Sequence, residues 1–284
     1  LKGVHVGYSG EKLNIMMILI SIFGILINAT FSYNYSKKIF SSKKAGSAGV
    51  SLIEKVLCVV ALTETLISLC WLIDNSMFFL CTEPDTNTKT EIGGFGYFIA
   101  YGEIFLYLFD WMILYHIKII ILNPQKILES GEMVKKIRYI CAIIALTCTL
   151  FGIIFDLGGV SPMLTYFITI NYNKEEIFHN VLFWIFFIIP IGCFVYGGTQ
   201  VYLILKSTQY KNDKNHRKFF IEYSYFVITY IISSVLLTIC YIINGINMKR
   251  PEDIISKNDS FFIYYVLITT ILTCFTPLAV GIIR

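Results

Sequence analysis

Seven stretches of apolar residues, each long enough to cross a lipid bilayer, occupy most of this chain. A helix rises about 1.5 Å per residue and the hydrocarbon core of a bilayer is about 30 Å thick, so about 20 apolar residues suffice to span it. The sequence therefore predicts an all-α integral membrane protein in which a single domain, residues 1–284, is a bundle of seven transmembrane helices. The predicted helices cover residues 13–35, 52–73, 94–122, 137–155, 181–205, 219–243 and 261–283.

The composition supports the same interpretation independently. Hydrophobic residues make up 56% of the chain and charged residues only 15%, whereas charged residues are about 25% of a typical soluble protein. A soluble domain of this length has no interior large enough to bury so much apolar surface. The connections between the stretches are also too short to fold as a second domain.

The basic residues predict the orientation of the bundle. Lysines and arginines cluster in the first, third and fifth connections, and cytoplasmic loops carry such an excess. The amino terminus is therefore predicted outside and the carboxyl terminus in the cytoplasm. The net charge of +4 is then a signal of topology, and we do not expect nucleic-acid binding. The basic residues predicted to meet the lipid bilayer surface or a cytoplasmic partner are Lys126, Lys206, Lys211, Arg217 and Lys218.

Acidic residues inside the apolar stretches are the strongest candidates for a functional site. Glu64 lies in the second stretch, and Glu103 and Asp110 lie in the third. An ionised acid near the centre of a bilayer costs at least about 2.5 kcal/mol, so such residues face the bundle, water or a partner. Glu64 and Asp110 both lie near mid-depth and are candidates to face one another. Glu103 precedes Asp110 by two helical turns and shares its face, nearer the outside.

Two interpretations of these acids remain open. In the first, the acids are protonated, or neighbouring hydroxyl groups donate hydrogen bonds to them, and they tie the second and third helices together. In the second, Glu64 and Asp110 line a water-filled polar site that holds a proton or a cation, since two ionised carboxylates in one site repel each other. Neither interpretation requires catalysis. The hydroxyl donors considered are Thr63, Thr65, Ser68 and Tyr107.

Several functional classes are disfavoured by what the sequence lacks. A retinal protein needs a lysine in the seventh helix, and residues 261–283 contain none. The chain has neither a glycine-rich phosphate loop ending in Lys-Ser/Thr nor a His-Glu-x-x-His motif. We therefore expect no enzyme activity, no catalytic residues, no cofactor and no metal. The histidines lie in or beside the predicted loops and are too scattered for a metal cage: His5, His116, His179 and His216.

Three short motifs stand out in the second, third and seventh stretches. Residues 62–73 (LTETLISLCWLI) place an acid before small residues, and Phe109-Asp110-Trp111 is followed by Tyr115 and His116. Residues 276–281 (TPLAVG) form a small-residue run near the end of the seventh stretch. These motifs resemble the second-helix acid, the third-helix aromatic-Trp pattern and the closing run of the seventh helix in the G-protein-coupled receptor superfamily, in particular its cyclic-AMP-receptor-like and secretin/adhesion-like branches. Rhodopsin-like receptors instead carry Asp-Arg-Tyr at the end of the third helix, where this chain has residues 115–118 (YHIK).

This resemblance implies a receptor that transduces an extracellular signal to a cytoplasmic partner such as a heterotrimeric G protein. It implies a location in the plasma or ciliary membrane. A ligand, whose identity the sequence does not name, would enter from the outer half of the bundle and bias one packing of the helices over another. The residues expected to line its site are Trp71, Tyr97, Tyr101, Glu103 and Trp184.

Two other classes of function remain as alternatives. One is a non-signalling accessory subunit of a larger membrane complex, held by its apolar outer faces among other membrane subunits. The richness in Phe, Tyr and Ile, with Asn- and Lys-rich loops, suits an AT-rich protist genome, where lineage-specific subunits of this kind occur. The other is an ion channel or carrier that uses Glu64 and Asp110 as its path.

Overall fold

The computed structural model of the protein describes residues 8–45, 52–80, 94–122, 130–155 and 181–207, with single residues 211, 212, 214, 217, 220 and 221 beyond them. The secondary structure of the long segments is entirely helical. These helices correspond to the first five predicted stretches. The seventh predicted helix, and the sixth apart from residues 220 and 221, lie outside the described residues. In chain order the helices are α1 (Tyr8–Ala45), α2 (Leu52–Leu80), α3 (Gly94–Leu122), α4 (Ser130–Phe155) and α5 (Val181–Lys206).

Three of the helices in the described part of the chain are long and apolar enough to cross a membrane. The crossing segments are Ile15–Ser41, Glu54–Ile73 and Tyr97–Ile119, of 27, 20 and 23 residues. At about 1.5 Å per residue they are roughly 40, 30 and 35 Å long, so each matches or exceeds the hydrocarbon thickness. These lengths agree with the prediction of an integral membrane protein.

The ends of the helices differ from the apolar stretches in an informative way. α3 begins and ends where the sequence predicted, but α1 continues past the predicted end at residue 35 to Ala45. Likewise α4 begins at Ser130, ahead of the predicted start at residue 137. Both extensions consist largely of polar and basic residues. Hydropathy detects only the part of a helix that contacts lipid, whereas backbone hydrogen bonds continue the helix into the headgroup region and beyond.

α3 is the central helix of the described bundle. It packs against α2, α4 and α5, while α1 packs against α2, and α4 also contacts α2 and α5. Most of the side chains of α3 are buried or partly buried, as expected of a helix with several neighbours. Ile99, Ile104, Phe109 and Ile113 are fully buried.

α1 and α4, in contrast, each bury one narrow stripe. The buried residues of α1 recur every three or four positions, and those of α4 follow the same spacing, as helices packed on one side require. The opposite faces are apolar and exposed, for example Leu26 (60% exposed) and Ile143 (63% exposed). Lipid chains accommodate such faces in a membrane. The buried stripes are Met17, Ser21, Gly24, Asn28, Ser32 and Tyr35 on α1, and Val134, Ile137, Cys141, Ala145 and Thr149 on α4.

Candidate functional site: buried acids at the junction of α2, α3 and α4

Two of the three predicted acids are enclosed by the bundle. Glu64 on α2 is 1% exposed and Asp110 on α3 is 4% exposed, whereas Glu103 on α3 is partly exposed. Each of the two enclosed acids lies within a helix that can cross a membrane. Because transferring a charged carboxylate into an apolar medium is costly, these side chains need polar or charged neighbours inside the bundle.

Gly102 defines how α2 and α3 meet. A Cβ atom built on Gly102 would lie 2.6 Å from Ile67 Cγ1 and 3.9 Å from Thr63 Cγ2. A larger residue at position 102 would therefore collide with the Ile67 side chain unless that side chain or the helices moved, so α2 and α3 meet closely at this glycine, as small residues allow in other membrane helix pairs. Since Glu64 lies between Thr63 and Ile67 in sequence, Glu103 is level with Glu64. Asp110 is seven residues further along α3, about 10 Å away along the helix axis.

Glu64 interacts electrostatically with both acids of α3. Its carboxylate acts on Glu103 and also on Asp110. The structure therefore extends the predicted pair of Glu64 and Asp110 to a group of three acids, in which Glu64 is the shared member. Like charges repel more strongly at the lower effective dielectric constant of a protein interior than in bulk water. Each acid of this group therefore influences the charge of its neighbours inside the bundle.

Asp110 also faces α4. Its carboxylate interacts electrostatically with the thiol of Cys141, and Cys141 Sγ lies 3.6 Å from Met112 Sδ of α3. Cys141 is fully buried in the stripe that α4 turns toward α3. Together with the contact between α2 and α4, these interactions place Asp110 at the junction of three helices rather than at a two-helix seam.

The hydroxyl groups of Thr63 and Thr65 do not serve the acids, contrary to the first interpretation of the sequence. Thr63 Oγ1 donates to the carbonyl oxygen of Val59 at 2.9 Å, and Thr65 Oγ1 donates to that of Ala61 at 2.7 Å. A hydroxyl has a single hydrogen to donate, so both donors are used within α2. Threonine in an apolar helix commonly bonds its own preceding turn in this way. The two other predicted donors, Ser68 and Tyr107, are buried.

α1 supplies polar side chains to the other side of α2. Ser36 Oγ and Cys58 Sγ share a hydrogen bond of 3.3 Å, and Lys38 Nζ lies 3.2 Å from Glu54 Oε1. These pairs show that α1 and α2 run antiparallel, and continuing the same register brings Asn28 level with Glu64. Asn28 is fully buried. An amide in the middle of an apolar stretch was the sequence signal that could have identified it, because burying an amide is costly.

The predicted ligand-lining residues lie on α2, α3 and α5. Tyr97 and Tyr101 are partly exposed on α3, with Tyr101 stacked on Phe105 at 6.5 Å between ring centroids. Trp184 belongs to α5. Trp71 is only 3% exposed, so it contributes to the packing of α2 against its neighbours and would contact a ligand only if the helices moved.

Two further side chains lie in the second half of α3. His116 is 3% exposed, so its side chain is enclosed by the bundle, and the expectation that it lies in or beside a loop is wrong. Trp111 packs against α5, where a Cβ built on Gly192 would lie 3.3 Å from Trp111 Cη2 and the Tyr196 ring is 5.9 Å away. Small residues in α5 could have indicated this close packing.

The basic residues predicted at the surface are exposed wherever the structure describes them. Lys206 ends α5, and Lys211 and Arg217 follow it, all exposed. Lys126 and Lys218 lie outside the described residues. Among the described residues, no group of three or more His, Cys, Asp or Glu side chains is placed to hold a metal ion. No protein-family model matches the chain, and no curated protein matches it.

Proposed function

We propose that this protein is a receptor-like membrane protein with seven helices, its amino terminus outside and its carboxyl terminus in the cytoplasm. In this proposal a signal at the outer ends of α2, α3 and α5 changes the packing around α3. A cytoplasmic partner, for which a guanine-nucleotide-binding protein is the first candidate, detects that change. The plasma or ciliary membrane is the proposed location. The motif resemblance and the central position of α3 support this proposal.

The observation that carries the proposal is the buried acid group on the central helix. Asp110 interacts electrostatically with Glu64 of α2 and also with Cys141 of α4. A shift of α3 relative to either neighbour changes the distances between charged groups, so their interaction energy depends on the packing state. A ligand that prefers one packing then shifts the balance of states by its differential affinity.

The outer part of α3 offers the connection between a ligand and the acids. Tyr101, Phe105 and Phe109 stack one after another along α3, with centroid separations of 6.5 and 5.6 Å. Phe109 is fully buried and adjoins Asp110 in sequence. A ligand that displaces Tyr101 would therefore disturb a packed column that leads to the acid group.

Purification of the chain from its native membrane tests this proposal. A receptor of this kind should co-purify with a guanine-nucleotide-binding protein in substoichiometric amounts, and a non-hydrolysable guanine nucleotide should release that protein. A fixed stoichiometric complex with other membrane proteins, unaffected by guanine nucleotides, would contradict the proposal and favour the accessory-subunit alternative.

An ion channel or carrier is the second candidate, because Glu64 interacts electrostatically with Glu103 at its own level and with Asp110 further along α3. Such a path needs both Glu64 and Asp110 to exchange a proton or cation. In proteoliposomes with a pH or sodium gradient, Glu64→Gln and Asp110→Asn should then each abolish flux, while Glu132→Gln, which neutralises an exposed acid on α4, leaves it intact. Absence of flux in the unaltered protein would exclude this candidate.

A further inference from the structure

Three basic side chains at one end of the bundle each lie over a tyrosine ring. Lys118 Nζ is 5.1 Å from the centroid of Tyr115, and Lys206 Nζ is 5.9 Å from that of Tyr202. The guanidinium carbon of Arg138 is 5.3 Å from the centroid of Tyr139. These separations are within the range of cation–π attraction. The three pairs belong to three different helices, α3, α4 and α5.

Contacts between the helices place the three pairs at the same end of the bundle, within roughly 15 Å of one another along the helix axes. The segment 123–129 joins α3 to α4 and is too short to reach along a helix of 29 residues, so the two helices are antiparallel. Cys141 contacts Met112, which makes Arg138 level with Tyr115. Trp111 and Tyr115 both contact Tyr196 of α5, so Tyr202 lies near the end of α3 and Lys206 about one turn beyond it.

The three tyrosines face outward from the bundle. Tyr115 is 42% exposed, and Tyr139 and Tyr202 are each 61% exposed. Lys118 lies at the end of the membrane-crossing segment Tyr97–Ile119, which is the depth of the headgroups. Exposed aliphatic side chains continue from this rim toward the centre of the membrane, including Ile140 and Ile143 on α4. From the headgroup level toward the centre of the membrane, this end of the bundle therefore presents basic side chains, then tyrosine rings, then exposed aliphatic side chains.

We propose that this rim, defined by Lys118–Tyr115, Arg138–Tyr139 and Lys206–Tyr202, binds anionic phospholipid headgroups. A guanidinium stacked on a ring keeps its N–H edge free for two parallel hydrogen bonds to a phosphate, and an ammonium keeps donors free in the same way. The tyrosine ring holds the cation at the level of the headgroup, and the acyl chains lie along the aliphatic residues beneath. Aromatic side chains favour this interfacial depth.

The proposal differs from general attraction between basic loops and an anionic membrane. General attraction depends on the number of charges, each changing membrane binding about fivefold. Lipid binding by the rim depends in addition on the tyrosine ring beneath each cation. The lipid proposal does not involve signalling, so its test does not depend on the proposed receptor function.

Titration of the purified full chain in detergent with dioctanoyl phosphatidylserine, read as bound lipid by native mass spectrometry, tests the proposal. Dioctanoyl phosphatidylcholine is the zwitterionic control. The triple variant Lys118→Gln, Arg138→Gln and Lys206→Gln should weaken phosphatidylserine binding at least tenfold. The matched triple variant Lys37→Gln, Lys136→Gln and Lys214→Gln removes three exposed lysines. In the described part of the chain none of these lysines lies over a tyrosine. This control variant should weaken phosphatidylserine binding less than threefold.

A second variant separates the rings from the charges. Substituting leucine for Tyr115, Tyr139 and Tyr202 keeps every cation. Tyr139 and Tyr202 are each 61% exposed, and leucine at position 115 keeps an apolar side chain beside Tyr196, so the fold should be retained, as monitored by far-UV circular dichroism. We expect phosphatidylserine binding to weaken at least threefold. Equal losses in the two lysine/arginine triples, or unchanged binding in the leucine variant, would overturn the proposal. If the Lys118, Arg138 and Lys206 variant lost a cytoplasmic protein partner while its lipid binding stayed unchanged, the rim would be a binding site for that partner, and the lipid proposal would also be overturned.

Discussion

Substitution of Gly102 tests the register of α2 and α3 on which the acid site depends. Gly102→Ala would place a Cβ atom 2.6 Å from Ile67 Cγ1 and 2.9 Å from Ile67 Cδ1. Carbon atoms in contact prefer about 3.5–4.0 Å, so the helices or the side chain must move by about 1 Å. Ile67 is 6% exposed and β-branched, and such side chains have one strongly preferred rotamer in a helix.

The expected cost follows from two opposing effects. Overpacking a close interface costs about 1–3 kcal/mol, while replacing glycine by alanine in a helix gains about 0.8–1 kcal/mol. The net loss for Gly102→Ala is thus about 1 kcal/mol. Gly198 on α5 is the matched control, because a Cβ there meets nothing within 4 Å. Gly198→Ala should therefore keep the helix-propensity gain, so the two variants should differ by about 2 kcal/mol.

Thermal unfolding of the purified chain in detergent provides the assay. A difference of about 2 kcal/mol corresponds to about 4 °C or more between the two midpoints in a protein of this size. In the Ile67→Ala background the atoms that clash are absent, so Gly102→Ala should there become neutral or stabilising. Equal midpoints for Gly102→Ala and Gly198→Ala, or the same penalty in the Ile67→Ala background, would refute the proposed contact and with it the level of Glu103.

The same thermal assay checks three further predictions. Gly192→Ala brings a Cβ to 3.3 Å from Trp111 Cη2, a gap that closes with a small shift, so its penalty should be smaller than that of Gly102→Ala; a larger penalty would contradict this packing. Thr63→Val should change stability by less than about 1 kcal/mol, since its hydroxyl bonds its own helix; a loss above about 2 kcal/mol would show that it serves the acids. Lys38→Met breaks the exposed pair with Glu54 at 3.2 Å and should cost less than about 1 kcal/mol, falling further in 0.5 M salt; a loss independent of salt would contradict this.

The membrane character of the chain and the bounds of α3 could be predicted from hydropathy, because a helix that crosses the hydrocarbon core must be apolar over a length set by the thickness of that core. α3 is also apolar over most of its surface, and a helix of this kind is usually central. The acids on α2 and α3 could be identified since charge is rare in such segments. The proximity of Glu64 and Asp110 could be predicted, but the position of Glu103 beside Glu64 could not. Residue counts give only an approximate depth in the membrane, whereas the contact at Gly102 gives the register of the two helices.

The contact at Gly102 could not be predicted from the sequence. Hydropathy does not tell which glycine meets a neighbouring helix, and the chain contains 19 glycines. The hydroxyl of Thr63 shows a similar limit, since a threonine can donate to its own helix or across to another. His116 was misplaced because a basic side chain near a helix end resembles the start of a loop, while the burial of that position depends on α4 and α5.

Neutralising Asp110 tests the central claim most directly, which is that the buried acid group couples the packing of α3 to a cytoplasmic partner. The measurement is the fraction of guanine-nucleotide-binding protein that remains with the purified protein, for the unaltered chain, Asp110→Asn and the exposed control Glu132→Gln. Allosteric couplings usually amount to at least about fivefold in affinity. The account predicts a change of that size for Asp110→Asn and none for Glu132→Gln; identical retention in all three proteins would contradict it.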